Sequence, residues 1–471
     1  MFRSCDRSAG RNRAPKPPKM ASTKTGSLRE QTGRRLPWID PATIAQAREY
    51  SSTFLTEFAI MASQILVYKL AARDFGKEGF SEYAVARRTV SLLYPVALMG
   101  LGVALPRFLG FASGRDVARL PNYYGATLHC VCTITAVLAF SVNLFSARFA
   151  YLFFGNRSYS YLTFPMSVLL VALVLHATIY SYFRGHLKMR QANTLQLTNL
   201  AIVPLLAFGL FGASVRTVLL AAGSMTLCGV SVGFAFTPMR EVLNASFAEI
   251  KVLLRYGVQR LVGDFALTAL MTLPVTILVH LRGVEETGFV SFGITVLSLI
   301  GSAFAPIGLI LLPKASRMFA EGARADLRAH VIRIVRATIV VALSMNFVLA
   351  VFAGRLIEIY LGPGFPEVTF YVRLFAFGAL PYAMYCVLRG VVDAFYLRAV
   401  NAINALIALG VFLLWTLVLW TVRGTPYVPI GLLVAVFVLG ALTVFEAYRI
   451  LSRSLPPGAV EVSVSEIPLA S

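Results

Sequence analysis

Residues 160–183 read SYLTFPMSVLLVALVLHATIYSYF and contain no Asp, Glu, Lys or Arg. An uninterrupted apolar run of this length matches the roughly 20 residues that an α-helix needs to cross the hydrocarbon core of a bilayer. Eleven more apolar runs of similar length occur along the chain, at about 51–72, 83–105, 124–146, 192–212, 216–237, 257–280, 289–311, 333–353, 367–388, 399–422 and 427–448. The sequence therefore predicts an all-α integral membrane protein with twelve transmembrane helices.

The composition of the 471-residue chain also indicates a membrane protein. Hydrophobic residues make up 57% of it and charged residues only 14%, whereas soluble domains carry about 25% charged residues. The formal net charge of +21 does not indicate nucleic-acid binding, because the basic residues lie at the ends of the apolar runs, where they would meet membrane lipids. The five cysteines have neither CxxC nor metal-ligand spacing, so we expect no disulfide framework, no metal site and no cofactor.

Basic residues are about three times as frequent on the side of the N-terminus as on the opposite side of the predicted helices, which predicts that both termini are cytoplasmic. Residues 1–40 are rich in Arg, Lys, Ser and Pro and predict a disordered basic tail, and residues 451–471 predict a second cytosolic tail. The loops on the outer side are short, and the longest lie around 147–159 and 354–366. No extramembrane domain is therefore expected to carry catalysis, and we expect a protein that is not an enzyme.

The chain also repeats itself at an offset near 207 residues. The strongest match pairs Glu57-Phe58-Ala59 with Asp264-Phe265-Ala266. Further pairs in the same order are Leu105-Pro106-Arg107 with Leu312-Pro313-Lys314, Arg148–Gly155 with Arg355–Gly362, Gly79-Phe80 with Gly288-Phe289, Arg184-Gly185 with Arg389-Gly390, and Asn193 with Asn401. Several matches in one order with little drift indicate an internal duplication.

The geometry of this duplication follows from the number of membrane crossings. Equivalent positions are separated by six predicted crossings, so both halves enter the membrane in the same direction. The two repeats are therefore parallel and related by a pseudo-twofold axis along the membrane normal. We expect two six-helix bundles, residues 41–238 and 239–450, with a cavity between them that can open to either side of the membrane in turn.

Three short motifs carry a family resemblance. They are Ala71-Ala72-Arg73-Asp74-Phe75-Gly76 continuing through Gly79-Phe80-Ser81-Glu82-Tyr83-Ala84, Tyr182-Phe183-Arg184-Gly185 with Asn193 downstream, and Tyr360-Leu361-Gly362-Pro363-Gly364-Phe365. Together they resemble the multidrug, oligosaccharidyl-lipid and polysaccharide flippase superfamily, in its O-antigen and exopolysaccharide branch, over about residues 45–450.

The resemblance implies movement of an undecaprenyl-diphosphate-linked oligosaccharide from the cytoplasmic to the periplasmic leaflet of the inner membrane. Such a step precedes polymerisation of a surface polysaccharide or its attachment to lipopolysaccharide. It implies a coupling ion, either proton or sodium, and leaves open whether the protein acts alone or with glycosyltransferases and a polysaccharide polymerase. Lipid II flippases of this superfamily usually have fourteen helices, and the absence of a thirteenth and a fourteenth here argues against lipid II as cargo.

Two other functional classes are compatible with a polytopic helical protein. A multidrug and toxin extrusion (MATE)-type exporter of organic cations would share the fold, but it would favour acidic and aromatic lining residues over arginines. A membrane enzyme such as an O-antigen polymerase or ligase would resemble a chain with one large periplasmic loop. The short outer loops and the duplication disfavour the enzyme.

Two acidic residues lie inside predicted transmembrane helices at equivalent positions of the repeat. Glu57 lies two turns into the first helix and Asp264 lies at the corresponding place in the seventh. Buried ionisable groups are costly in a membrane and often mark a transport pathway, so these two predict sites of ion coupling that face a shared cavity. The structural alternative is that Arg260, one helical turn before Asp264, simply pairs with it.

Four basic residues lie in or near the membrane and are candidates for binding an anionic diphosphate. They are Arg373, Arg87, Arg88 and Lys69, and Arg373 is the strongest candidate because it lies near the middle of a predicted helix. Arginine forks bind phosphate oxygens in pairs. Arg87, Arg88 and Lys69 could instead reach the outer interface of the membrane. Gln64, on the same helical face as Glu57, could hydrogen-bond sugar hydroxyls or hold two helices together.

Overall fold

The computed structural model describes residues 41–115, 120–237, 247–320, 323–396, 399–423 and 427–452. The predicted tail of residues 1–40 and most of the tail predicted at 451–471 lie outside these described residues, as does the boundary predicted between the two bundles at residue 238. The helices are α1 (Pro41–Leu98), α2 (Leu101–Arg115), α3 (Leu120–Leu144), α4 (Ser146–Phe154), α5 (Thr163–Gly185), α6 (Met189–Leu197), α7 (Val203–Phe211), α8 (Val215–Ala235), α9 (Phe247–Ala320), α10 (Arg324–Leu361), α11 (Pro366–Ala376), α12 (Ala379–Phe395), α13 (Val400–Arg423) and α14 (Val428–Ser452).

Twelve membrane-crossing segments follow from these helices. Within the described residues nine helices are long and apolar enough to cross a membrane, and a tenth crossing is the pair α11 and α12, which meet at a bend of 50°. Helices α1 and α9 contain 58 and 74 residues, so they would be about 87 and 111 Å long if straight, far beyond one bilayer. Each contains one glycine with non-helical backbone at which two helices meet, Gly76 in α1 and Gly283 in α9. Dividing both helices there confirms the predicted all-α fold with twelve transmembrane helices.

We number these crossings in chain order. Spans 1 and 2 are the parts of α1 before and after Gly76, with α2 continuing span 2, and spans 7 and 8 are the corresponding parts of α9. The others are span 3 (α3), span 4 (α5), span 5 (α6 and α7), span 6 (α8), span 9 (α10), span 10 (α11 and α12), span 11 (α13) and span 12 (α14). The predicted helices 51–72 and 83–105 left the polar residues between them as a connection, but these residues are helical in the structure. A helix can extend beyond the hydrocarbon core, where its end can carry charged residues.

The duplication is visible in the backbone itself. Gly76 and Gly283 are 207 residues apart and have φ values of +64° and +76°, a region that side-chain-bearing residues rarely occupy. Gly155 and Gly362 are also 207 residues apart, with φ values of +71° and +98°. Glycine is therefore required at the same two turns of both halves, which is what two copies of one fold predict.

The pseudo-twofold axis passes between spans 2 and 8. Residues related by a twofold axis can touch one another only where the axis passes between them. Arg88 donates a hydrogen bond of 2.9 Å to the hydroxyl of Thr295, which is its equivalent 207 residues later. Ser291 donates one of 3.3 Å to the carbonyl of Ala84, again 207 residues away. These contacts confirm the parallel arrangement of the two bundles.

Each bundle is held together by close packing at small residues. In the first, Gly223 of span 6 packs on the backbone of span 4, where a β-carbon would come within 2.9 Å of the Leu169 nitrogen. In the second, Gly440 of span 12 packs on Pro381 of span 10, where a β-carbon would lie 2.7 Å from the Pro381 β-carbon. Small residues let membrane helices approach closely, so the equivalent helix pairs use the same device.

Candidate functional site

A polar cavity of about 220 Å³ lies between spans 1, 2 and 8, next to the pseudo-twofold axis. Its lining residues are Gln64, Tyr68, Arg87, Arg88, Ser91, Thr295, Ser298, Leu299 and Ser302. Only one of them is purely apolar, although the neighbouring stretches of these spans are strongly hydrophobic. We call this the central cavity. Three of the residues predicted from the sequence, Gln64, Arg87 and Arg88, line it together.

Neither arginine of the central cavity has an acidic partner among the residues that the structure describes. Arg88 is held by the hydroxyl of Thr295, which lies 3.4 Å from the hydroxyl of Tyr68. The guanidinium carbon of Arg87 lies 5.9 Å from the centre of the Tyr83 ring. Among the described residues no carboxylate forms an ion pair with either guanidinium. Adjacent arginines inside a membrane protein are costly, and such residues usually face a cavity or a transport pathway.

A second cavity of about 380 Å³ lies inside the first bundle. Its walls come from spans 1, 2, 4, 5 and 6, with Thr268 of span 7 at one edge. We call it the bundle cavity. It shares Gln64, Arg87 and Ser91 with the central cavity, so the two are adjoining compartments whose common wall carries a positive charge.

The predicted ion-coupling residues lie outside both cavities. Glu57 is half-buried in span 1 and accepts a hydrogen bond of 2.9 Å from the side-chain nitrogen of Gln196 in span 5. Asp264 is exposed in span 7, within electrostatic reach of Arg260 and Arg389. No ion pair within 4 Å joins the described residues Arg260 and Asp264. The two acids are thus equivalent in the repeat but differ in surroundings, and their role in ion coupling stays a prediction.

The other two predicted basic residues also lie away from the cavities. Lys69 is exposed on span 1. Arg373 is exposed on span 10, and its guanidinium lies 3.8 Å from the position that a β-carbon of Gly354 would occupy. The sequence placed Arg373 near the middle of a straight helix, but the break after Ala376 puts it in the short first limb of a bent span. A role for either residue in the pathway stays a prediction.

Sequence reasoning missed two polar residues of the bundle cavity. Neither His176 of span 4 nor Asn199 of span 5 was among the candidate site residues predicted from the sequence, yet both line this cavity. A signal was present in the sequence, because Asn193, Gln196 and Asn199 recur every three residues along one helix. Such a polar stripe within an apolar span indicates a wet or functional face.

One end of the molecule holds the two bundles together by polar contacts. We call it the kink end, since it carries Gly76 and Gly283. Lys77 of span 2 forms an ion pair of 3.2 Å with Glu367 of span 10, and Ser81 donates a hydrogen bond of 2.8 Å to the carbonyl of Glu285. Any movement that opens the central cavity toward this end must break these contacts.

Comparisons with known proteins identify relatives of this fold. A family model described as polysaccharide biosynthesis protein matches residues 47–319, which is more than half of the chain. No curated protein matches the sequence. The eukaryotic MATE transporter AtDTX14 is 16% identical, with 87% of this chain and 96% of that chain covered and a TM-score of 0.62.

Two further solved structures have the same fold. The MATE multidrug transporter DinF-BH is 16% identical, with 89% of this chain and 98% of that chain covered and a TM-score of 0.64. The lipid II flippase MurJ in its inward closed conformation is 16% identical, with 86% of this chain and 88% of that chain covered and a TM-score of 0.59. Identity at this level shows a common architecture and leaves the cargo of this chain to be argued from its own residues.

Proposed function

The chain belongs to the polysaccharide biosynthesis protein family, and from that premise we propose that it is a flippase for an undecaprenyl-diphosphate-linked oligosaccharide. The cargo moves from the cytoplasmic to the periplasmic leaflet of the inner membrane and serves synthesis of a surface polysaccharide. The observation that carries this proposal is the pair Arg87 and Arg88 in the central cavity, without a carboxylate partner among the described residues.

The chemistry of the cargo matches that pair. A diphosphate carries adjacent negative charges, and arginine forks bind phosphate oxygens through two parallel hydrogen bonds each. The hydroxyl of Thr295 accepts from Arg88 and donates to the Ser291 carbonyl, and the nearby hydroxyl of Tyr68 offers a further donor. Water-excluded charge pairs interact far more strongly than pairs in bulk water. The diphosphate would therefore supply a counter-charge that none of the described residues provides at this place.

The cation-exporter alternative is less compatible with these linings. Among the described residues none of those lining the central or the bundle cavity is Asp or Glu. An organic cation would meet the two arginines with no acidic group to attract it. The MATE structures thus support the architecture of this chain and not a cationic cargo.

Transport by alternating access would use the two parallel bundles as rigid halves. Opening toward the kink end breaks the Lys77–Glu367 ion pair and the Ser81–Glu285 contact. By the charge distribution of the loops the kink end faces the periplasm, so its opening releases the cargo there. Both chain termini then lie in the cytoplasm.

Ion coupling, by proton or sodium, is proposed to act through Glu57, with Asp264 and Arg260 at the equivalent place in the second bundle. The ionised Glu57 carboxylate accepts a hydrogen bond from Gln196. The side-chain oxygen of Gln196 is buried and has no partner among the described residues. A protonated Glu57 could donate to that oxygen after rotation of the amide, so both protonation states find a hydrogen bond.

A reconstitution experiment tests the proposed function. Purified protein in liposomes is given undecaprenyl diphosphate carrying a fluorescent glycan on one side, and separately a fluorescent organic cation. We expect the lipid-linked glycan to appear in the opposite leaflet at a rate well above that of empty liposomes, with no transport of the cation. Transport of the cation without movement of the glycan would contradict the proposal.

A further inference from the structure

We propose that the bundle cavity receives the sugar that follows the diphosphate in the cargo, and that Asn199 and His176 bind its hydroxyl groups. This inference rests on the proposed function and adds a specificity site to it. It assigns to the first bundle alone the recognition of what is attached to the carrier.

The first observation is an unsatisfied polar pair in the cavity wall. Asn199 and His176 are 1% and 4% exposed, and a side-chain nitrogen of Asn199 lies 3.2 Å from Nδ1 of His176. The side-chain oxygen of Asn199 has no hydrogen-bond partner among the described residues. A buried amide with one unpaired end costs free energy, and a ligand with hydroxyl groups would remove that cost.

The second observation is that the backbone is shaped around this amide. Asn199 lies in one turn of π-helix, Thr198–Ile202, between α6 and α7. Such turns widen a helix locally and occur frequently at functional sites. On the neighbouring span 6, the side-chain oxygen of Asn199 lies against Gly229, where a β-carbon would collide with it. Rotation about the broad terminal torsion of the Asn side chain can turn the amide toward the cavity.

The third observation is that the bundle cavity continues from the proposed diphosphate site. Arg87 lines both cavities. A diphosphate bound by Arg87 and Arg88 would place its first sugar at the opening of the bundle cavity. The volume of about 380 Å³ falls within the roughly 300–1,000 Å³ typical of small-molecule sites.

The lining favours a neutral polyhydroxylated ring over a cation. No Asp or Glu lines the bundle cavity among the described residues, and Arg87 at its edge repels positive charge. Tyr83 and Tyr94 contribute aromatic rings to the lining, and His176, Asn199 and Thr226 contribute hydrogen-bonding groups. An apolar and aromatic wall with a few convergent polar groups is the usual composition of a specific small-molecule site.

The second bundle does not repeat this arrangement. His176 lies between repeat matches with offsets of 207 and 205, and the intermediate offset of 206 makes it correspond to Tyr382. The Asn193–Asn401 offset of 208 makes Asn199 correspond to Ile407. Tyr382 packs against Gly301 of span 8, where a β-carbon would collide with its ring. The hydrogen-bonding pair therefore belongs to one half of the duplication. A pair that the fold required would occur in both halves, whereas a specificity site can occur in one.

Binding of defined carriers to purified full-length protein tests the inference. The probes are undecaprenyl diphosphate without sugar, with one N-acetylhexosamine and with one hexose. We expect the wild type to bind one of the sugar-bearing carriers about 10-fold tighter than the bare carrier, the gain from one or two hydrogen bonds. Asn199→Leu and His176→Phe keep the side-chain size, and we expect each to reduce that preference to less than about 3-fold while binding of the bare carrier is unchanged.

The matched control is Asn404→Leu, which removes another buried amide with an unpaired nitrogen, in span 11 and outside both cavities. We expect it to keep the full preference for the sugar.

The inference is overturned if the wild type binds bare and sugar-bearing carriers equally, or if Asn199→Leu and His176→Phe leave the preference intact. Failure of the wild type to bind any of the three carriers would instead contradict the proposed function. Thermal unfolding in detergent verifies that all variants are folded.

Discussion

The two bundles are copies of one fold, yet they differ most where the central cavity lies. A shift of 207 residues takes Arg87 and Arg88 of span 2 to Ile294 and Thr295 of span 8. Arg88 and its equivalent Thr295 meet across the pseudo-twofold axis, and the span 2 wall of the central cavity is cationic whereas the span 8 wall is neutral. The duplication thus accounts for the architecture, and departures from it account for the site.

The same contrast holds for the helices around the site. Span 4 is one continuous helix over Thr163–Gly185, whereas its equivalent span 10 is bent by 50° between α11 and α12. Span 5 carries the π-helical turn Thr198–Ile202, whereas its equivalent span 11 is a regular α-helix over Val400–Arg423. In the first bundle the irregular turn lies beside the bundle cavity, the proposed sugar site.

The largest expected effect comes from removing the cationic wall. In the double variant Arg87→Gln/Arg88→Gln the wall that span 2 contributes to the central cavity loses its positive charge and becomes neutral, like the wall from span 8. Hydrogen bonds to charged groups contribute about 1.5–3 kcal/mol each, so we expect the flipping rate of a diphosphate-linked glycan in liposomes to fall at least about 100-fold.

The matched control for that variant is Arg148→Gln, since Arg148 is exposed and lies against the ring of Phe145 at a distance of 5.7 Å. Its rate should stay within about 2-fold of the wild type. A double variant that still flips the glycan at more than half the wild-type rate would mean that the cationic wall is not the site of the diphosphate.

The next largest effect concerns the symmetric part of the comparison. Gly76→Ala and Gly283→Ala each place a side chain at a backbone conformation reserved for glycine, which costs about 1–3 kcal/mol. Because the two turns are copies, we expect both variants to lower the thermal unfolding temperature in detergent by a similar amount. Gly209→Ala is the control, since Gly209 is helical and a β-carbon there meets open space. A marked loss in only one of the first two variants would show that the two kinks are not equivalent.

The third effect compares the two equivalent acids. Glu57→Gln removes a charged hydrogen-bond acceptor of Gln196, and we expect it to slow ion-gradient-driven flipping about 10-fold. Asp264 is more exposed and has Arg260 and Arg389 in reach, so we expect a smaller effect from Asp264→Asn, about 3-fold. The measurement is flipping with and without an imposed proton or sodium gradient. Undiminished gradient dependence in Glu57→Gln would assign that residue to structure.

The sequence predicted the fold better than it predicted the site, for physical reasons. Spans and duplication follow from long apolar runs and from short matches such as Arg148–Gly155 with Arg355–Gly362, which are local properties of the chain. The partners of a polar side chain depend on which helices meet. Arg88 touches Thr295 only because the axis passes between spans 2 and 8, and no local pattern reports that.

Helix irregularities were the other source of error. Arg373 was placed at mid-membrane because residues 367–388 form one unbroken apolar run, although the chain bends by 50° within that run. Asn199 lies in a π-helical turn, Thr198–Ile202. Neither the bend of span 10 nor this turn of span 5 was predicted from the sequence.

The smallest expected effect is that of Arg373, which sharpens the comparison between a cationic residue inside the central cavity and one outside it. Arg373 is exposed in the first limb of span 10, at the kink end and beside span 9. An exposed charge contributes about 0–1 kcal/mol, so Arg373→Ala should weaken equilibrium binding of undecaprenyl diphosphate by about 2-fold. Because the kink end is the proposed exit, the same variant should affect release of cargo into the periplasmic leaflet more than its binding. A loss of binding as large as that of the double arginine variant would place the diphosphate at span 10, and the cationic wall of span 2 would then have to be reassigned to another part of the transport cycle.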